Sequence, residues 1–284
     1  MARMTRMPAS RRPLDTARVQ EQLAPVMRGG IVLLDTAGST NTVLRERLRD
    51  QDWTGPVLLS AEHQQAGRGR AGHDWQTPAG AALTVSIAVR PPRPRDTWGW
   101  LPLLTGVAVC RAIEQVAGLA PALKWPNDVL VPDAERRSAP GWGGHRKAVG
   151  ILTEAVGDLV IAGIGINVDQ SPAELPVPHA VSLRAAGAGV VDRTALLIAV
   201  AREVVALTGA PRSAATEDEV RDRCLTLGTD IEADLPDGGR LTGRAESIDA
   251  DGSLRVRGPD GSLRTLSAGD LRHVRPRGEL GSGE

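Results

Sequence analysis

The sequence predicts an α+β protein in two parts, a larger region of mixed strands and helices followed by a small all-β module starting near Thr226. Three observations carry this. Short apolar or period-two runs are interspersed with segments of helical spacing as far as residue 207. Beyond Cys224, three Asp-Gly pairs (Asp237-Gly238, Asp251-Gly252, Asp260-Gly261) punctuate short strands such as residues 254–256, which is the chemistry of tight hairpins and of a partly open barrel. With 284 residues, 41% hydrophobic and 24% charged, the chain can bury a core without a disulfide or metal staple.

Taken in order, residues 1–25 carry Arg3, Arg6, Arg11, Arg12 and Arg18 with no apolar run behind them. They read as a disordered basic tail and not as a secretory signal. Residues 31–34 read as a strand. Ser39, Thr40 and Asn41 are good helix N-cap residues ahead of Val43, Leu44 and Leu48. Residues 56–60 read as a strand, and 62–75, polar and Gly-rich, as a loop. Leu83, Val85, Ile87 and Val89 alternate as a strand that Pro91, Pro92 and Pro94 end. A helix is expected over 101–116, with Pro102 in its first turn. Residues 132–146, rich in Gly, Pro and charge, read as a solvent-exposed excursion. Residues 148–156 and 159–168 form a hairpin about Gly157-Asp158, and 194–207 an amphipathic helix. The expected domains are 26–225 and 226–276, with 277–284 a flexible tail.

Lys+Arg and Asp+Glu are both 34, so the formal charge is zero, which argues against a surface built to neutralise DNA phosphates. Tyr and Phe are absent and the six aromatics are all Trp, so the core is aliphatic. Cys110 and Cys224 form no CxxC pair, which fits a reduced, cytoplasmic compartment and excludes a disulfide scaffold. No run of 18 apolar residues exists to span a membrane. The five histidines show no zinc-ligand spacing, and neither GxSxG nor a nucleophilic Cys motif occurs, so no protein-held metal and no covalent catalysis are expected.

Four stretches could carry chemistry. Gln64-Gln65-Ala66-Gly67-Arg68-Gly69-Arg70-Ala71-Gly72-His73-Asp74-Trp75 alternates Gly, which admits an anion close to the backbone, with Arg, which grips it. It reads equally as an anion clamp or as a solvated flexible loop. It is neither a Walker A loop nor a dinucleotide fingerprint. Lys124-Trp125-Pro126-Asn127-Asp128 is either a well-made turn or a turn presenting a charged pair. Lys147, just ahead of an apolar run with Gly150 inside it, is most simply a solvated strand end. In Gly163-Ile164-Gly165-Ile166-Asn167-Val168, strand glycines mark either close packing or close approach of a ligand, and Asn167 can read an amide or a base edge.

Together these blocks, with Gly38-Ser39-Thr40-Asn41, resemble the biotin protein ligases, in the family's order and over about residue 31 to the C-terminus. Each block alone is weak; the joint match is specific. The resemblance implies a class II synthetase-like biotin/lipoate ligase domain, a mixed sheet flanked by helices, with a small C-terminal SH3-like β-barrel. It implies that ATP activates biotin to biotinyl-5′-AMP and that a lysine of a biotin carboxyl carrier protein then takes the biotin. By the same resemblance Lys147, Arg68, Arg70 and Asp128 are catalytic, Lys147 touching both carboxylate and α-phosphate and Asp128 orienting or deprotonating the carrier lysine. Ser39, Thr40, Asn41, Gln64, Gly67, Arg68, Gly69, Arg70, Lys147, Gly150, Gly163 and Gly165 bind biotin. Arg68, Arg70, Trp75, Lys124, Asn127, Lys147 and Asn167 bind ATP, Trp75 and Asn167 on the adenine side. Mg²⁺ is held largely by phosphates and water.

The chain departs from the family pattern in three places. His73 stands where an Arg is usual, the 132–146 excursion is long and expected to be mobile and dispensable for adenylation, and too few residues precede Ile31 for a helix-turn-helix. No specific DNA binding is therefore expected, no membrane association, and a monomer or weak homodimer. A lipoate or octanoyl ligase or transferase of related fold is the alternative, disfavoured by the Gly-Arg-Gly-Arg loop. A non-enzymatic binder is disfavoured by Lys147 and the two arginines.

Overall fold

Alternating side chains send the central strands' residues to two different cores. The computed structural model describes residues 11–49, 52–72, 74–75, 77–133, 142–235, 238–268 and 273–276. In β2 (Val57–Gln64), Leu58 faces the main core and its neighbour Leu59 a second core on the opposite face. The same alternation runs through β5 (Ala82–Val89) and β9 (Leu159–Asn167), where Val160 and Ile161 part to the two sides. With β1 (Gly30–Ala37), β6 (Ala122–Lys124), β7 (Asp128–Pro132) and β8 (His145–Val156), these strands make a seven-stranded sheet in the order β1-β2-β5-β9-β8-β7-β6, while β3 (Gly67–Arg68) and β4 (Asp74–Trp75) pair with each other as a separate ribbon. Only β1 and β2 pair in parallel; the other five pairings are antiparallel, so the sheet is mixed as expected.

The main core lies under α3 (Leu101–Ala117) and α4 (Arg193–Thr208), with α5 (Ala214–Arg223) beside α3. Both long helices are stopped by local chemistry: Asp192 caps α4 through the amides of Thr194 and Ala195, and α3 ends on Gly118 at φ +64°. The other face of the sheet is covered over part of its area by α2 (Thr40–Arg49), which seats Leu44 on Leu59, Ala88 and Ile161. The uncovered remainder of that face is where the cavity described below opens.

The N-terminus corrects the expectation of a disordered tail over residues 11–25. Thr16–Leu23 is a helix, α1, capped by Asp15 and packed on α4 with Val19 and Leu23 fully buried. Its apolar positions are few, so they vanish among the arginines in the sequence, but two of those arginines are tethered. Arg11 bonds Asp169 and Glu174, and Arg18 bonds Asp192. Residues 1–10 and 277–284 lie outside the described residues. So do 134–141 of the excursion; of its flanks, Gly143 and Gly144 are exposed as expected, but their neighbours are not. Trp142 is buried, and Arg146 and Asp133 form a buried pair that satisfies both charges.

The C-terminal module is a five-stranded antiparallel sheet, consistent with an SH3-like domain. Its strands are β10 (Asp230–Asp234), β11 (Arg240–Ile248), β12 (Leu254–Arg257), β13 (Leu263–Leu266) and β14 (His273–Pro276), in the order β13-β12-β11-β10-β14. Gly252 in one Asp-Gly turn has φ +91° and is pressed against Gly99, where a Cβ on either glycine would strike the other segment's backbone. Around that contact, Trp100 Nε1 donates to the carbonyls of Asp249 and Ala250, and Trp125 Nε1 to that of Gly252. Buried indoles thus clamp the two parts together while satisfying their own N–H groups.

Candidate active site

The cavity occupies about 330 Å³ between the uncovered sheet face, the N-terminus of α2, the Gly-Arg loop and the C-terminal module. Its floor is made of glycines. A Cβ on Gly163 would collide with the Asn41 amide, and one on Gly165 with the indole of Trp75, which also lies over Gly150. The strand glycines therefore serve close approach, not turn geometry.

One end of the cavity is polar and uncharged. Gln64 Oε1 accepts from the Thr40 backbone N–H at 2.8 Å and the Thr40 hydroxyl at 3.0 Å. Ser86, on β5 and fully buried, lies 2.8 Å from the Thr40 hydroxyl and 2.6 Å from Asn41 Oδ1. Asn41 Nδ2 donates to the Leu152 carbonyl and to Glu154. Gln64 Oε1 has spent both lone pairs, so Gln64 offers a ligand its amide hydrogens, whereas Asn41 has spent both amide hydrogens and offers oxygen.

The other end is cationic. Arg68, Arg70, Lys124 and Lys147 line it, with Asp128 the single carboxylate among the described lining residues. Lys147 Nζ lies 2.7 Å from Asp128 Oδ1, and Lys124 Nζ donates to Oδ2 at 3.1 Å. Burial pushes the Asp128 carboxyl upward, but the two ammonium groups outweigh it and hold it well below the usual carboxylate range. Arg70 donates to Asn127 Oδ1 at 3.2 Å and to the Ala268 carbonyl of the C-terminal module. Burial draws its guanidinium below the ordinary value, against the pull of Asp128. Four cations around one carboxylate leave this end in need of anions.

Lys147 reaches the cavity through a β-bulge. Val149 pairs with Val129, but Lys147 pairs with Leu130, so Ala148 is the extra residue. Without it, period-two alternation would turn Lys147 to the core side with Val149 and Ile151. With it, the lysine stem lies beside Gly150. The backbone of Lys147 is further pinned to the strap after β9, through the His179 carbonyl and the Val181 amide.

Two family models match the chain, "Biotin/lipoate A/B protein ligase family" over residues 33–171 and "Biotin protein ligase C terminal domain" over 226–273. The biotin–[acetyl-CoA-carboxylase] ligase of Mycobacterium tuberculosis is 36% identical over 273 residues, which is 93% of this chain and 97% of that protein. The chain belongs to the biotin protein ligases. Among solved structures, the ligase resembles that of Aquifex aeolicus in complex with biotin and ATP, with a TM-score of 0.69, 25% identity, and coverage of 87% of this chain and 99% of the other. It also resembles the Leishmania major ligase in complex with biotinyl-5-AMP, with a TM-score of 0.59, 26% identity, and coverage of 84% and 99%. A near full-length biotin ligase relative and the C-terminal family match leave the lipoate or octanoyl alternative unfavoured.

Of the residues the sequence singled out in the ligase, Ser39, Thr40, Asn41, Gln64, Arg68, Gly69, Arg70, Trp75, Lys124, Asn127, Asp128, Lys147, Gly150, Gly163, Gly165 and Asn167 all line this one cavity. Gly67 does not; it stands behind the wall, where its missing side chain admits the Trp75 carbonyl and the Gln64 amide. Asn167 lines the cavity with both ends engaged, accepting from Gln170 and donating one hydrogen to the Val181 carbonyl. His73 lies outside the described residues. Sequence reading missed the wall formed by Pro176, Val177, His179 and Ala180, and Val274 contributed by β14. No motif marks either, because both reach the site through tertiary docking. Both cysteines are buried and their thiols pushed up by burial, Cys110 to about 12, so neither supplies a thiolate.

Proposed function

We propose that the uncharged end of this cavity takes the ureido ring of biotin, that its cationic end takes the biotin carboxylate and ATP, and that the ligase joins them there. The observation that carries this reading is the pairing of the two ends. A ureido group offers a carbonyl acceptor and N–H donors, which Gln64 and Asn41 complement. A carboxylate and a triphosphate repel each other unless cations offset their charge. Lys147, Lys124, Arg70 and Arg68 supply that offset. A carboxylate oxygen of biotin then attacks the α-phosphorus, the bond to the bridging α–β oxygen breaks, and pyrophosphate leaves with both its electrons. The neutral amine of the carrier lysine attacks the acyl carbon of the mixed anhydride, AMP departs with the electrons of the acyl–oxygen bond, the nitrogen gives up one proton to solvent, and an amide forms. The Gly-Arg loop shelters the anhydride from water between the two steps.

Asp128, paired with both ammonium groups, aims Lys147 and Lys124 and is the group proposed to orient or deprotonate the incoming carrier lysine. Mg²⁺ comes in as the counter-ion of ATP. Among the described residues no cluster of three His, Cys, Asp or Glu side chains could hold a metal, and the cavity's one carboxylate is committed to lysines, so phosphates and water are its natural ligands. The partner is the biotin carboxyl carrier domain of an acyl-CoA carboxylase, and the compartment the cytoplasm. No helix among the described residues is long and apolar enough to cross a membrane. Pyrophosphate release by the purified protein with ATP and either biotin or lipoate tests the reading. Release with biotin alone is expected; release with lipoate and not biotin overturns it.

A further inference from the structure

Glu154 is not part of the cavity wall, yet it controls a residue that is. Asn41 Nδ2 sends one hydrogen to the Leu152 carbonyl at 3.2 Å and the other to Glu154 Oε2 at 2.6 Å. A carbonyl and an ionised carboxylate accept and never donate, so the amide nitrogen can face only toward β8. The amide oxygen is thereby turned to Ser86 and to the glycine floor at Gly163. The second Glu154 oxygen accepts from Arg45 of α2 at 2.9 Å, which braces the carboxylate toward Asn41. Were the Asn41 amide reversed, two oxygens would face each other across 2.6 Å.

The neighbouring oxygens carry the same bias. Gln64 Oε1, Thr40 Oγ1, Ser86 Oγ and Asn41 Oδ1 stand in a row with successive separations of 3.0, 2.8 and 2.6 Å. Only the two hydroxyls bring hydrogens to those three contacts, so one contact lacks a proton. Such a row has surplus acceptor capacity, and a ligand N–H satisfies it better than a ligand oxygen does.

We infer that Glu154 is a positioning residue that sets the amide polarity of Asn41, with Ser86 passing that polarity along the row, so that the cavity selects a substrate bearing N–H donors at this end. The inference rests on the reading that the ureido ring binds here.

The test measures initial rates of pyrophosphate release, with KM for biotin and KM for ATP taken separately, together with the melting temperature. Glu154→Gln keeps an acceptor toward Asn41 and is expected to leave KM for biotin within about threefold. Glu154→Lys offers only donors, sets them against the remaining Leu152 carbonyl so that the amide loses its fixed orientation, and is expected to raise KM for biotin about tenfold or more, with KM for ATP nearly unchanged. If the lysine variant does not fold, Glu154→Leu, which offers no acceptor, is expected to raise KM for biotin alone. Equal KM for biotin across the Gln, Lys and Leu variants overturns the inference. So does a parallel rise in both KM values with a lowered melting temperature, the mark of a merely structural role. Asn41→Ala separates the two readings. If it raises KM for biotin while Glu154→Lys does not, only the positioning role fails; if it leaves KM for biotin unchanged, the ureido reading fails with it.

Discussion

Lys147 shows how much of the site depends on single residues. Its ammonium and that of Lys124 share Asp128, whose carboxylate they keep ionised. Lys147→Ala is expected to depress adenylation far more than carrier transfer from supplied biotinyl-5′-AMP, because the charge it offsets exists while carboxylate and phosphate approach. Rates of the two half-reactions measured apart check this, and equal losses would contradict it. The Asp128 carboxyl is depressed in the fold, so its contribution to stability is full above about pH 4, where an unfolded aspartate is ionised, and drains away as pH falls below that. Asp128→Asn strands two partly buried lysines. It is expected to cost on the order of 3 kcal/mol at pH 7 and to flatten the acid limb of the stability curve, as urea titrations from pH 7 down to pH 3 would reveal.

At the scale of elements, the glycines and the loop arginines were legible because they break the apolar pattern of their surroundings for a reason chemistry supplies. Gly163 and Gly165 interrupt an otherwise aliphatic strand, and the structure puts Asn41 and Trp75 in the space they vacate. What escaped was whatever depends on counting or on long-range docking. The bulge at Ala148 leaves no trace in composition, so Lys147 read as a solvated strand end. Ser86 looked like one more small residue in an alternating strand, although it holds Thr40 and Asn41 together. Helix α1 was hidden by the arginines in and before it, of which Arg11 is met by Asp169 and Glu174 and Arg18 by Asp192, all from distant segments. Leu23→Ala should cost about 2–5 kcal/mol in denaturant unfolding, which a disordered tail would not show. For the Gly-Arg loop, Arg70→Ala is expected to leave the fold intact, with a small drop in melting temperature from the lost bonds to Asn127 and Ala268, and to shorten the lifetime of retained biotinyl-5′-AMP. Stopped-flow hydrolysis assays measure that lifetime, and an unchanged value would remove the loop from the role of shelter.

Across the whole molecule, the two parts are coupled at the place where no side chain fits. Gly99 and Gly252 touch backbone to backbone, and the indoles of Trp100 and Trp125 bond across the seam on either side. Gly252→Ala adds a Cβ at φ +91° where backbone already stands, so it is expected to part the modules and raise KM for ATP more than KM for biotin. The asymmetry follows from where the seam leads, since the carbonyl that holds Arg70 and the apolar contact of Val274 both belong to the C-terminal module.

Because Val274 sits on β14, the last strand among the described residues, yet lines the cavity, a chain still emerging from the ribosome has its large sheet and its lysines before it has a finished chamber. Formation of acyl-adenylate is therefore expected to wait until β14 has been made and docked, and a product truncated before Val274 is expected to be a poor generator of it.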